Sequence, residues 1–433
     1  MISKLLNETM KDSEIQNDRY PGPPPFEDTP QDRSIFFGRD IEIDITKKLI
    51  IATRIVVLFG KSGLGKTSML QAGLFPMLRL EGYLPIMVRL AGSKPVIELI
   101  DKSAKKICKD LNIDYVPGEM GSLWEYFKTV MFWSDDTLMV PVLVFDQFEE
   151  IFTLSDSTFR AAFAKEIGPI VSGNPPDLVL ARMKLATGVT SVSENPPKVK
   201  IIISLKEEYL GALQELSHEI PGLFKERVRL LPLDESHARD AIRKPALLGT
   251  ESMPFAEICK FNSSPFDYEE KAIEEILSFL KGRSGTIEPF QLQLLCQHFE
   301  QLVRENKVRP DESGVITITR DDMGGPDEMS KILQTFYTNA IAGVPRQVKN
   351  RVRQLCEMGL LDAAGHRLSL EKNQIRREYK VSDEIIYILV RRRLLREEPR
   401  LESLFYEISH DTIAQSIVQI RRWRIPSFCP VLL

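Results

Sequence analysis

The eight residues Gly60-Lys-Ser-Gly-Leu-Gly-Lys-Thr67 constrain this chain more than any others. They follow the apolar run 54–59 (RIVVLF) without a spacer and lead into a helical pattern from Met69 to Leu80. Glycines at 60, 63 and 65 let the backbone curl so that successive N–H groups converge at the start of a helix, where the dipole favours an anion. The spacing GxxxxGK[ST] between a strand and a helix is that of a phosphate-binding loop. Within it Lys66 is placed to reach β- and γ-phosphates and Thr67 to offer its hydroxyl to Mg²⁺. Lys61, Ser62, Leu64 and Ser68 complete the predicted nucleotide-binding stretch.

The surrounding pattern predicts what carries this loop. Apolar runs at 54–59, 84–90, 140–145 and 199–205 are continuous rather than alternating, as in parallel strands buried on both faces. Residues 35–230 therefore predict an α/β core, a parallel sheet with helices on both faces, with Val171 to Lys198 a loop or insertion. Residues 1–34 read as an extended arm, because Tyr20-Pro-Gly-Pro-Pro-Pro-Phe26 fixes several backbone angles. Helical periodicity then takes over: Ile273, Ile276, Leu277 and Leu280 share one face, and Pro289 stands in the first turn of a further helix. Residues 231–324 thus predict a helical lid domain. In 325–425 helices at 327–342, 345–360 and 382–396 precede a short pattern from Glu397 to Ile408 broken at Pro399, then a last helix to Arg424. Three helices and a hairpin predict a winged helix, with 426–433 a tail.

Composition narrows the classes. At 433 residues, 43% hydrophobic and 27% charged, the chain is ordinary globular protein. No run approaches the roughly eighteen apolar residues of a membrane helix, and the polar N-terminus has no apolar signal core, so a cytoplasmic protein without membrane partners is expected. Cys108, Cys259, Cys296, Cys356 and Cys429 have no metal-ligand spacing and are expected to be small buried residues in a reducing compartment. A net charge of −4 weighs against nucleic acid, although residues from Arg346 onward carry 17 Lys plus Arg against 11 Asp plus Glu.

A phosphate loop needs a second metal-side contact from a neighbouring strand, and Val142-Leu-Val-Phe-Asp146 supplies an apolar strand ending in a carboxylate. Asp146 is the expected magnesium-side residue. Either Glu149 or Glu150, just beyond it, can polarise an attacking water.

With these residues in place the chain resembles the novel STAND NTPase group, related to the NACHT and NB-ARC switches. The resemblance rests on Phe36-Phe-Gly-Arg39, the phosphate loop, Asp146-Gln-Phe-Glu-Glu150, Leu231-Pro-Leu-Asp-Glu-Ser-His-Ala-Arg-Asp-Ala-Ile242 with Pro245, Glu288-Pro289-Phe290-Gln-Leu-Gln-Leu-Leu295 and Ser409-His410-Asp411, over about 30–425. It implies a slowly hydrolysing ATPase switch, closed with ADP and open with ATP, in signal transduction or bacterial defence. It further implies that Arg39 and Pro289 line the adenine side and that His410 approaches the ADP β-phosphate. The family's usual γ-phosphate-sensing arginine is replaced by Lys206, which keeps the charge and loses the bidentate fork, with Arg227 the other candidate. Effector and repeat-sensor regions that normally flank such a core have no counterpart in the 34 residues before it or the 8 after Ile425. A stand-alone module, a member of a multi-chain system or a truncated product is expected, working through a protein partner or a nucleotide-dependent homo-oligomer. The competing classes are a winged-helix DNA regulator with an allosteric nucleotide site and a scaffold that does not hydrolyse.

Overall fold

The computed structural model describes residues 17–22, 25–61, 63–90, 94–185, 194–250, 253, 260–281, 285–312, 314–362, 364–392, 394–400, 403–409 and 411–424. They divide into two compact units. One is Arg39–Leu231 with Glu398–Phe405; the other comprises the described residues within Met1–Gly38, Pro232–Glu397 and Tyr406–Leu433.

In the first unit the four apolar runs become strands. These are β1 (Ile55–Gly60), β2 (Tyr83–Val88), then, after the small strands β3 (Asp114–Val116), β4 (Met131–Ser134) and β5 (Thr137–Leu138), β6 (Val140–Phe145) and β7 (Lys200–Lys206), with the three-residue β8 (Arg227–Arg229) added. β1, β2, β6, β7 and β8 form one sheet in the order β2-β6-β7-β1-β8, and every pairing in it is parallel. Val56, Val57, Ile86, Leu143, Val144, Ile201 and Ile203 are fully buried, which is why the runs carry no polar alternation. β7 lies between β1 and β6, so the strand after the phosphate loop and the strand bearing Asp146 are not direct neighbours. β3, β4 and β5 make a separate antiparallel sheet.

The stretch read as a loop from Val171 to Lys198 contains a helix, Asp177–Leu185. The preceding helix Ser157–Ser172 ends at Gly173 in the left-handed region, and Pro176 then supplies the carbonyl that receives the Val179 and Leu180 N–H groups. Val179 packs against buried Trp124. Pro175 and Pro176 thus precede a helix start, while residues 186–193 of the stretch lie outside the described residues.

The second unit is mainly helical, with Glu235–Leu247, Glu270–Lys281, Pro289–Arg304 and Gly325–Ala342 around one core. Asp234 caps the first by accepting from His237 N at 2.8 Å, which explains the polar start of that motif. Ile273, Ile276, Leu277 and Leu280 face the core as their spacing predicts. Two-residue strands β9 (Asp267–Tyr268) and β10 (Thr317–Ile318) pair in parallel beside them.

The described residues before 34, which begin at Asn17, are not simply an extended arm; residues 1–16, 23 and 24 lie outside the described residues. A short helix Pro30–Ile35 is capped by Thr29, and Arg19 and Tyr20 are buried in the helical core. The Arg19 guanidinium donates to Ser263 Oγ and to the carbonyls of Pro245, Leu248 and Ser263, and stacks 4.5 Å from the Phe261 ring. Glu300 receives the Arg19 and Tyr20 N–H groups at 2.9 and 3.0 Å. A charge this deep is tolerated only because its donors are satisfied.

Beyond Ala342 come Lys349–Gln354 continuing into Leu355–Gly359, β11 (Leu370–Glu371), Lys372–Gln374 continuing into Ile375–Tyr379, Asp383–Arg391, β12 (Leu395–Arg400), β13 (Ser403–Ile408) and Asp411–Arg424. The three strands order as β11-β13-β12. The helix predicted over 382–396 stops at Arg391. There Leu394 N turns back to Leu389 O and the chain leaves as β12.

Cys108, Cys296 and Cys356 are buried free thiols; Cys259 and Cys429 lie outside the described residues. No helix among the described residues is long and apolar enough to cross a membrane.

Candidate nucleotide site

The phosphate loop leaves β1 at the carboxyl edge of the sheet, where parallel α/β folds place their ligands. Gly63 and Gly65 have φ of 82° and 86°, a left-handed geometry that side chains resist, and a Cβ on Gly65 would meet nothing within 4 Å, so backbone geometry and not crowding calls for glycine there. Gly60 is glycine for another reason: a Cβ there would stand 2.5 Å from Leu230 O. The helix begins at Lys66, whose ammonium donates to Gly60 O at 2.8 Å and Lys61 O at 3.1 Å. Burial pushes the Lys66 ammonium below the ordinary lysine range, with Glu149 and then Asp146 acting in the opposite direction. Leu64 and Ser68 are buried and Lys61 is exposed; Ser62 lies outside the described residues.

Strand register assembles the acidic side. Val144 and Phe145 pair with Ile202 and Ile203, which brings Asp146 level with Ser204, and on the other edge of β7 Gly60 pairs with Lys206. Asp146, 4% exposed, receives the Thr67 hydroxyl at Oδ2 and the Ser204 hydroxyl at Oδ1, each at 2.7 Å. Gln147 is held at φ 54°, an unfavourable conformation for a residue with a Cβ. That turn lets Phe148 N donate to Ser204 O at 2.8 Å and swings Glu149 toward β7. Glu149 Oε2 accepts from Lys206 N at 3.2 Å, and its other oxygen is 3.7 Å from Lys206 Nζ. The Glu149 charge also favours the Lys66 ammonium, and its carboxylate is held against Lys206, level with Gly60. Glu150, equally buried, opens the helix Glu150–Leu154.

The donor set fits a magnesium-bound nucleotide. A hydroxyl and a carboxylate, Thr67 and Asp146, sit side by side as hard oxygen donors near the Lys66 ammonium and the loop. Comparison with known proteins agrees at the level of family. Residues 20–425 match the family described as Novel STAND NTPase 1. The chain belongs to that family. Among curated proteins none matches it. Solved structures similar to it include the Walker-type ATPase paby2304 of Pyrococcus abyssi, with 15% identity, 90% of this chain and 98% of that chain covered, and a TM-score of 0.41. The Aeropyrum pernix ORC1 protein in complex with DNA aligns at 12% identity over 90% and 95% of the two chains with a TM-score of 0.39.

The other candidates of this STAND NTPase divide between the two units. Arg39 is 4% exposed; its guanidinium donates to Leu64 O in the loop at 3.0 Å, to Leu231 O at 2.9 Å and to Glu42 at 2.6 Å. It is therefore a clamp on the loop backbone. Arg227 pairs in register with Val57, three residues short of Gly60, whereas Arg229 pairs with Phe59 and bonds Glu207 at 2.6 Å. Arg229, not Arg227, is thus the β8 arginine level with the loop. Pro289 begins its helix in the second unit, and His410 lies outside the described residues. Ser204 and Arg229 were invisible to motif reading. The one available signal for Ser204 was a polar residue inside the otherwise apolar run 199–205.

Proposed function

We propose that this chain binds ATP or ADP with Mg²⁺ at Gly60–Ser68 and hydrolyses ATP slowly, as a switch acting through a partner protein. The observation that carries the reading is the part-buried contact between Thr67 Oγ1 and Asp146 Oδ2, 2.7 Å apart beside the loop. The bound metal-nucleotide supplies a polarised phosphoanhydride; the protein supplies position and charge. Lys66 and the loop N–H groups hold the phosphates, Thr67 and Asp146 hold the metal, and Glu149 accepts a proton from water. Lys206, at the end of β7 and level with Gly60, senses the terminal phosphate.

The switch reading draws on the family and on element order. Helix, β11, helix, helix, β12, β13, with the sheet ordered β11-β13-β12, supports a winged helix over 325–425, and the helices before it support a lid over 231–324. In that reading Pro289 and Arg39 belong to the adenine side, Arg39 through the loop, and His410 answers to the nucleotide. The helix Asp383–Arg391 opens with two carboxylates, and Asp383 pairs with Lys372 and Arg376, an arrangement poorly suited to duplex phosphates.

Calorimetry and phosphate release test the proposal together. Lys66→Ala is expected to abolish tight ATP binding, and Asp146→Ala to spare affinity more than turnover. Parent-like ATP and Mg²⁺ binding by both variants would remove the assignment. Binding without phosphate release in the parent would leave a scaffold that does not hydrolyse.

A further inference from the structure

The sheet β3-β4-β5 contributes nothing to the nucleotide site, and register defines its two faces. Asp114 pairs with Trp133, Tyr115 with Phe132, Val116 with Met131, and Trp133 with Leu138. Side chains alternate along a strand, so Tyr115 and Phe132 share one face. That face is inner: Phe132 is buried, and the Tyr115 hydroxyl donates to Asp101 while Lys105 lies 5.7 Å from its ring, both on the helix Val96–Leu111. The opposite face carries Asp114, Val116, Met131, Trp133 and Leu138. Val116 and Met131 are each 42% exposed and Leu138 51%, with Trp133 half-buried among them.

An antiparallel sheet that is wet on one side ordinarily places polar residues there; here four of the five are apolar. The charged residue on this face and the two in the β4–β5 turn are acidic. Asp114 lies on it, Asp135 and Asp136 form the exposed tip of the β4–β5 turn, and Glu119 is exposed in the loop after β3. The lysine that contacts the sheet, Lys105, is on the inner face.

We propose that this outer face docks a cationic amphipathic segment of a partner protein. Its apolar side chains lie on Val116, Met131, Trp133 and Leu138, and its lysines or arginines face Asp114, Asp135 and Asp136. A second copy of this chain is the poorer occupant, since a two-fold contact sets the acidic rim against itself. The inference is independent of the nucleotide reading.

The test uses the full chain and two short synthetic peptides, one alternating leucine with lysine and one alternating leucine with glutamate. Binding is read by peptide anisotropy and by tryptophan emission, with Trp133→Phe identifying the responding ring. The lysine peptide is expected to bind and shift Trp133 emission to the blue, and the glutamate peptide to stay free. Met131→Ser with Leu138→Ser, and separately Asp135→Asn with Asp136→Asn, should each weaken binding by about tenfold or more. Asparagine is chosen because Asp135 has φ 50°, which asparagine tolerates. Retained thermal unfolding confirms that these surface variants fold. Absence of binding, or equal binding by the parent and both double variants, overturns the proposal. Concentration-dependent self-association abolished by Met131→Ser with Leu138→Ser also overturns it, in favour of a second copy.

Discussion

Ser204→Ala isolates the contact that motif reading did not supply. Ser204 is fully buried, and its hydroxyl donates to Asp146 Oδ1 at 2.7 Å. Removing one hydroxyl oxygen leaves almost no cavity, so the loss is that of a hydrogen bond to a charged acceptor, about 1.5–3 kcal/mol. Asp146 keeps only the Thr67 hydroxyl among these two anchors, and its carboxylate gains freedom where a metal ligand needs to be fixed. Two readouts follow. Urea unfolding of the nucleotide-free protein should show the first unit destabilised by about 2 kcal/mol. The magnesium-dependent part of ATP affinity should fall by roughly tenfold or more, since 1.4 kcal/mol is a factor of ten, while affinity in excess chelator should hardly change. A cycle with Asp146→Asn assigns the effect, because the second substitution should add little once the first is made. Parent-like stability together with parent-like magnesium dependence would refute the idea that Ser204 positions Asp146.

Arg39→Ala orphans the Leu64 and Leu231 carbonyls, so it should weaken ATP, GTP and inorganic triphosphate alike; loss confined to adenine nucleotides would instead mean a direct base contact. Glu149→Gln should trap an ATP-bound form with turnover down by about 10²-fold or more, while Glu150→Gln does less; equal phosphate release from parent and both variants removes them from the chemistry. Nucleotide affinity should also fall as pH rises into the alkaline range. Burial holds the free Lys66 ammonium below its usual range and phosphate charge favours its protonated form, so binding takes up a proton between the free and bound pKa values. Flat affinity without proton uptake in calorimetry from neutral to alkaline pH would contradict that sign.

The sequence by itself determined the parts whose physics is local. Glycines at 60, 63 and 65 specify a loop that only a strand and a helix can flank, and the run ending at Asp146 marks a buried strand with a carboxylate at its exit. Ile273, Ile276, Leu277 and Leu280 specified one helix face because helical period is a property of neighbours. Tertiary structure decided everything that depends on which strands pair. Continuous apolar strands have no alternation to fix order or register, so placing β7 between β1 and β6, with Ser204 beside Asp146 and Lys206 beside Gly60, is a long-range outcome. The same register preferred Arg229 to Arg227 at the loop. A left-handed Gln147, with Phe148 N on Ser204 O, brought Glu149 onto Lys206. The Pro-rich segment read as an arm hid the burial of Arg19 and Tyr20 for a related reason. Their partners, at Ile242, Pro245, Leu248, Ser263 and Glu300, are more than two hundred residues away, and only the folded core brings them within reach.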